Sequence, residues 1–339
     1  MAKTERTLEM ANLICRFGEK KVLLDMLHEI VLPAFLDGTL RRSYDDTSYL
    51  FYDVELVVLD SENSILGIAG RFIKDTVLER DQILDGDKGL IHDNQKMRTS
   101  PSAVFLLILN NHRLLYVKET KNAPGLETFR ATAQKFLWIK HRNYINALYE
   151  KNQVARKADQ NVPHISKTDL NIATPRPSVE LVPIGSKESL ASFLEQFQTL
   201  KSVEVQLLDT NSEIDNAPFF EKVREQKDAI GSKKTIVRHT NPEGLDKDVA
   251  IEQLSVAAPQ GNYQIRFDGL DDAGDRLKGN NEDFKVKTPI GEIGSDLVPA
   301  VKRMYAGFNS LVESGLVVIP TVVDAVKRII AETIERINS

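Results

Sequence analysis

Directly after Pro124 and Gly125, residues 126–157 have the sequence LETFRATAQKFLWIKHRNYINALYEKNQVARK. The larger apolar side chains at the start of this stretch recur at helical spacing, at Leu126, Phe129, Ala133, Phe136 and Leu137. We therefore predict one long helix that runs into a basic tail.

The second half of this stretch is strongly basic. Between residues 135 and 157, Glu150 is the single acid, and it stands against six bases, Lys135, Lys140, Arg142, Lys151, Arg156 and Lys157. The local charge is +5 and the whole chain carries −5, so the remainder carries −10. Trp138 and Tyr144 lie among these charges. Segregated basic strips attract phosphate backbones, but a solvated helix end beside a linker has the same composition.

The chain, at 339 residues, is long enough for two domains with separate cores, and we predict an α+β fold. Residues 1–150 read as an N-terminal α+β domain in which the long helix packs on a mostly antiparallel sheet. Residues 151–177 contain three prolines and few large apolar side chains, so we predict a linker there. Residues 178–339 read as a C-terminal domain of alternating strands and helices that ends in two helices.

Several classes of protein are disfavoured by what the sequence lacks. No apolar run reaches the roughly 18 residues of a membrane span, and no signal-peptide core follows the N-terminus. Cys15 is the only cysteine, so a cytoplasmic location fits best. The glycine-rich phosphate loops and nucleophile motifs are absent, and no two histidines have the spacing of a helical metal site. We expect no metal and no cofactor.

A second group of bases lies in the predicted C-terminal domain, at Lys233, Lys234 and Arg238. If the two domains face each other, this group and the basic helix line one cleft. Binding of a phosphate backbone there would release counterions, so it would depend steeply on salt and little on sequence. The alternative is that these side chains are ordinary solubilising charges.

Glu119 and Lys121 follow an apolar strand and form a Glu-x-Lys pattern. This pattern is half of a Mg²⁺-dependent nuclease site, in which two carboxylates hold the metal and the lysine positions water. A second acid is needed, such as Asp93 or Asp60.

The acidic stretch 268–275 lacks the last ligand of a calcium loop, and we predict a hairpin turn there. It could instead complement the basic helix of another subunit.

Two regions resemble known families in the order of their predicted elements and in the general pattern of their residues. One is Ser102–Lys118 with the following Ala123-Pro124-Gly125 and helix, and the other is Asp272–Leu277 with the strand and helix that lead through Tyr305. This layout resembles the RexA exclusion proteins of temperate phages and, more distantly, the KwaB component of the Kiwa defence system. The resemblance implies a cytosolic DNA-binding homodimer that senses phage infection and acts with a membrane-protein partner. It implies no catalytic residues.

The leading hypothesis is therefore a protein that binds double-stranded DNA non-specifically and acts in anti-phage defence. The runner-up is a nuclease that uses Glu119 and Lys121. A third reading is a non-enzymatic scaffold whose basic and acidic faces pair between subunits.

Overall fold

The fold is α+β and contains two antiparallel sheets, in a computed structural model that describes residues 5–211 and 218–338. The strands, in chain order, are β1 (Arg6–Phe17), β2 (Lys21–Val22), β3 (Arg42–Tyr44), β4 (Thr47–Asp60), β5 (Ile65–Asp85), β6 (Gly89–Thr99), β7 (Ser102–Ile108), β8 (Arg113–Lys118), β9 (Pro177–Pro183), β10 (Thr199–Leu207), β11 (Thr235–Thr240), β12 (Tyr263–Leu270), β13 (Arg276–Asn280) and β14 (Lys287–Gly291).

The helices are α1 (Leu32–Leu36), α2 (Leu126–Ala158), α3 (Lys167–Ala173), α4 (Lys187–Leu194), α5 (Pro218–Ala229), α6 (Lys247–Leu254), α7 (Leu297–Glu313) and α8 (Asp324–Asn338). A 3₁₀ turn and a π turn precede α1, over residues 23–31. The predicted long helix is confirmed as α2, which begins after Gly125.

The larger sheet has ten strands within the described residues. Its order is β14-β1-β8-β7-β5-β4-β3, with β2 and β9 also paired to β1 and with β6 paired to β5. One face packs on α2 through a cluster of phenylalanine rings. Phe51 is central to that cluster, since its ring centroid lies 5.2 Å from Phe129 and 5.4 Å from Phe136. The apolar face of α2 is therefore fixed against the sheet.

The opposite face of the same sheet is covered by α7. Val301, Met304 and Phe308 of this helix are fully buried and share a core with Val104 and Leu115 of the two central strands. Because β7 and β8 are buried on both faces, their sequences are continuous apolar runs rather than alternating ones.

The smaller sheet has the order β11-β10-β12-β13. Its strands β10 and β12 alternate between buried and more exposed residues, and the buried ones pack on α4 and α6. The other face of this sheet carries polar and charged side chains such as Glu204, Arg238 and Arg266.

The larger sheet does not follow the predicted division of the chain at residues 150 and 178. One edge of β1 pairs with β14 over residues 6–9 and with β9 over residues 11–17. The terminal helix α8 also enters the first core, through Val326 and Ile330. The physical reason is that the backbone groups along a long central strand need partners on both sides, and these partners come from distant parts of the chain.

The predicted linker is partly helical. The first eight of its residues continue α2 to Ala158, and α3 occupies residues 167–173. Three prolines marked this stretch as a linker, but only the segments 159–166 and 174–176 have no regular structure. Within the described residues, no helix is both long and apolar enough to cross a membrane.

Candidate functional site

A basic groove lies between α2, α3 and the residues that lead into β9. Its volume is about 500 Å³, and it is lined by Lys135, Trp138, Ile139, His141, Arg142, Ile145, Asn146, Lys167, Asn171 and Arg176. Four of these residues are cationic and none is acidic. We call this surface the α2–α3 groove.

The position of the groove follows from the periodicity of α2. At about 100° per residue, Lys135 and Arg142 lie within about 20° of each other, on a stripe next to the one that faces the phenylalanine core. Trp138 lies between them and donates a hydrogen bond from Nε1 to the carbonyl of Pro177 at 2.8 Å. Gln134 Nε2 donates to the same carbonyl at 2.6 Å. These two bonds fix α2 to the start of β9.

The opposite wall of the groove is held by α3. Ser166 caps this helix, since its hydroxyl accepts from the Asp169 amide at 3.1 Å while the Asp169 carboxylate accepts from the Ser166 amide at 2.9 Å. After α3, the Thr174 carbonyl lies 2.8 Å from Nε2 of the buried His141. The chain is therefore anchored to α2 at both ends of the short helix, because Lys167 at the other end contacts Asn146 at 2.7 Å.

The four cations of the groove are all exposed, and none forms an ion pair with a carboxylate in the part of the chain that the structure describes. The guanidinium of Arg176 lies over the Trp138 ring, 3.5 Å from its centroid. The Lys167 ammonium lies 5.2 Å from the centroid of the Tyr149 ring. Both contacts hold a cation in place without cancelling its charge, so the two lysines and two arginines of the groove keep a formal charge of +4.

The other predicted bases on α2 lie outside the groove. Lys140 and Lys151 are about 140–160° around the helix from Lys135. Lys140 forms an ion pair with Asp37 at 2.5 Å, and this contact together with the Thr39 hydrogen bonds lowers the pKa of Asp37 to about 2. Arg156 has its Nε buried without a hydrogen-bond partner among the described residues, and Lys157 is exposed at the helix end.

The second predicted basic group is divided among other surfaces. Lys233 forms an ion pair with Glu19, beside the turn between β1 and β2. Lys234 is exposed, and Arg238 lies on the outer face of the smaller sheet, where its Nε donates to Ser202 at 3.2 Å. No described cavity is lined by residues of both predicted groups.

Two groove cations, Lys167 and Arg176, were missed from the sequence because the prolines around them indicated a linker. Lys167 could have been identified from the capping pattern of Ser166 and Asp169, which predicts the start of a helix. No local sequence pattern identifies Arg176, because its position over Trp138 depends on the path of the chain into β9.

Glu119 is engaged in a structural contact. Its carboxylate accepts from Ser102 at 2.6 Å and from Nε of Arg71 at 3.2 Å, while the same guanidinium also pairs with Asp53 at 3.2 Å. A cation thus already stands between the two carboxylates, where a nuclease would hold Mg²⁺. Lys121 is exposed.

The two acids considered as further metal ligands are also engaged. Asp93 pairs with Arg80, and Asp60 accepts from the amides of Glu62 and Asn63 in its own turn. Within residues 5–211 and 218–338, no group of three or more His, Cys, Asp or Glu side chains is arranged to hold a metal ion.

No protein-family model and no curated protein matches this chain.

Proposed function

We propose that this protein binds nucleic acid non-specifically through the α2–α3 groove, and that double-stranded DNA is its ligand. The observation that carries the proposal is the convergence of four exposed cations in one groove that has no acidic residue in its lining. Unpaired cations in a concave surface attract a polyanion strongly, because their fields add and no carboxylate cancels them.

The residue types in the groove suit phosphate recognition. Arg142 and Arg176 each present a planar fork of donors that matches two phosphate oxygens, whereas Lys135 and Lys167 act as point charges. The four side chains come from α2, from α3 and from the residue before β9, and they offer the groove charge and phosphate-directed donors. Contacts of this kind position a duplex and do not read its sequence.

The resemblance to RexA-type exclusion proteins and to KwaB agrees with this proposal and stays a prediction. It extends the proposal to a cytoplasmic role in anti-phage defence, as a homo-oligomeric sensor or effector with a membrane-protein partner. The groove itself bears only on the binding of nucleic acid, so these wider roles are tested separately from it.

The test is fluorescence anisotropy of a labelled 30-base-pair duplex titrated with the protein at low and at near-physiological salt. We expect micromolar binding, and the logarithm of the association constant should fall with a slope of about −3 to −4 against the logarithm of salt concentration. Duplexes of different sequence should bind equally. The K135E/R142E variant should bind at least tenfold more weakly.

A matched control has the same change in net charge outside the groove. The K151E/K234E variant alters two exposed lysines, one on the far side of α2 and one beside β11, and we expect less than a threefold loss of affinity. An equal loss in both variants would show that overall charge, and not the groove, determines binding. Absence of binding to wild-type protein at low salt would reject the proposal.

A further inference from the structure

A two-stranded ribbon formed by β5 and β6 extends beyond the larger sheet. Over residues 76–99, β5 pairs with β6, and β6 pairs with no other strand among the described residues. We call these residues the β-arm. An isolated two-stranded ribbon is marginally stable in water unless one of its faces is covered. No residue of the β-arm lines the α2–α3 groove.

The strand register assigns the side chains of the arm to two faces. Opposite residues of an antiparallel pair share a face, and the pairs Leu78–Met97, Arg80–Gln95, Gln82–His92 and Leu84–Leu90 alternate in β5 by two residues. These pairs therefore lie on one face, since the single irregularity near Asp93 takes up the extra residue of β6.

This face exposes four large apolar side chains. Leu78 is 43% exposed, Met97 61%, Leu84 81% and Leu90 66%. The other face carries the ion pairs Glu79–Lys96 and Asp75–Arg98, together with a half-buried pair of isoleucines. One face of the arm is thus suited to water, and the other exposes apolar area that is typical of an interaction surface.

We propose that the apolar face of the β-arm packs on the same face of a second copy of this chain, around a two-fold axis. The two apolar pairs are six residues apart in β5, about 20 Å along the strand. A two-fold axis midway between them and perpendicular to the strands places Leu78 over Leu84 of the other copy, and Met97 over Leu90. Each apolar pair of one copy then covers an apolar pair of the other, as a self-complementary interface requires.

The charges of the arm favour a second copy over nucleic acid. The arm contains five acids and four bases, so it offers no positive strip to phosphates. On the apolar face, the charge of Arg80 is compensated by its ion pair with Asp93. The middle of the interface therefore brings together the amides of Gln82 and Gln95, the His92 ring and an internally paired arginine, and no unpaired carboxylate or ammonium group lies among them.

The size of the apolar face limits the expected affinity of the dimer. A ribbon of this length is about 30 Å long and narrow, so the area that it buries is small for a protein interface. We expect a reversible dimer with a dissociation constant in the micromolar range.

The first experiment measures the mass of the full chain by analytical ultracentrifugation between 2 and 200 μM. Wild-type protein should shift from monomer to dimer, and the L84D/L90D variant should dimerise at least tenfold more weakly. Both side chains are well exposed at the tip, so the variant should keep its circular dichroism spectrum and thermal transition. The matched control, K96Q/R98Q, makes the same change in net charge on the charged face, where both side chains are exposed, and it should dimerise like wild-type protein. Wild-type protein that is monomeric at 200 μM would overturn the proposal, as would equal dimerisation of L84D/L90D.

A second experiment tests the register. Facing sheets lie about 10 Å apart, too far for a disulfide, so a short bismaleimide is used to join cysteines. A mixture of L78C protein with tagged L84C protein should cross-link between the two species in higher yield than either protein cross-links alone. Cys15 does not interfere, because it is buried and burial raises the pKa of its thiol to about 12. Equal yields in all three samples would contradict the proposed register.

Discussion

Lys140 and Arg142 are two residues apart on α2, yet they have different environments. Lys140 is tied to Asp37 and is mostly buried, whereas Arg142 is exposed in the groove. Both side chains carry one positive charge. Substitution of Lys140 should therefore affect mainly the stability of the fold, whereas substitution of Arg142 should affect mainly the binding of nucleic acid.

The Lys140→Met substitution should lower the free energy of unfolding by about 1 kcal/mol or less and should leave duplex affinity within threefold of wild-type. The effect on stability should depend on pH. Because the pKa of Asp37 is lowered in the folded state to about 2, from an ordinary value of 3.8, the ion pair stabilises the fold above about pH 4, and this stabilisation is lost as the pH falls toward 2.

Thermal unfolding of wild-type and Lys140→Met protein from pH 7 to pH 2 measures this difference. The gap between the two melting temperatures should narrow below pH 4. If the difference in melting temperature stayed constant down to pH 2, it would not arise from the ion pair between Lys140 and Asp37.

Gly70 is a residue where the fold requires the absence of a side chain. A Cβ there would lie 2.7 Å from Cγ2 of Val54 and 3.1 Å from the Phe105 ring. Gly70→Ala should therefore destabilise the protein by about 1–3 kcal/mol, as measured by urea unfolding. Gly38→Ala is the control, since nothing lies within 4 Å of its Cβ position. Equal unfolding midpoints for the two variants would contradict the packing argument.

At the scale of elements, α3 has a larger effect on the groove than its length suggests. It has seven residues and no buried side chain, so it contributes little to a core. It is held by its cap and by contacts with α2, and it carries Lys167 into the groove. Loss of the cap should therefore affect binding more than it affects global stability.

Ser166→Ala should remove a cap of about 1 kcal/mol and release α3 locally. We expect duplex affinity to fall two- to fivefold with little change in the melting temperature, and Ser166→Asn, which keeps a capping acceptor without adding a charge, should restore most of the affinity. Hydrogen exchange at the amides of α3 reports the local release. Unchanged exchange together with weakened binding would assign the loss to another cause.

At the scale of the whole molecule, the larger sheet joins distant parts of the chain. Its central strands are covered by α2 on one face and by α7 on the other, and the free edge of β1 is completed by β9 and β14. Residues before and after the predicted linker thus depend on each other for their burial and their backbone hydrogen bonds.

A protein that ends at residue 158 should therefore lack a cooperative thermal transition when expressed alone, because β1 loses two partners and the face under α7 is exposed. Full-length protein cleaved at a protease site introduced between residues 159 and 162 should keep its two fragments together during gel filtration. A cooperative transition in the isolated fragment would show that the first sheet is independent of the rest.

The sequence by itself determined the local features of this protein. Apolar spacing predicted α2 and its core face, and the order of the helical and strand patterns indicated the α+β class. These features depend on neighbours within one turn or one hairpin. The charge count also located the basic strip on α2, which supplies Lys135 and Arg142 to the groove.

Only the tertiary structure decided which strands share a sheet and which cations share a surface. The pairing of β1 with β9 and β14 joins residues at least 160 positions apart, and no local pattern specifies such a partner. Arg176 reaches Trp138 because the chain enters β9 beside α2. Helical rotation likewise separates Lys140 from Arg142, since charge is read along the chain but the surface is formed by faces of folded elements.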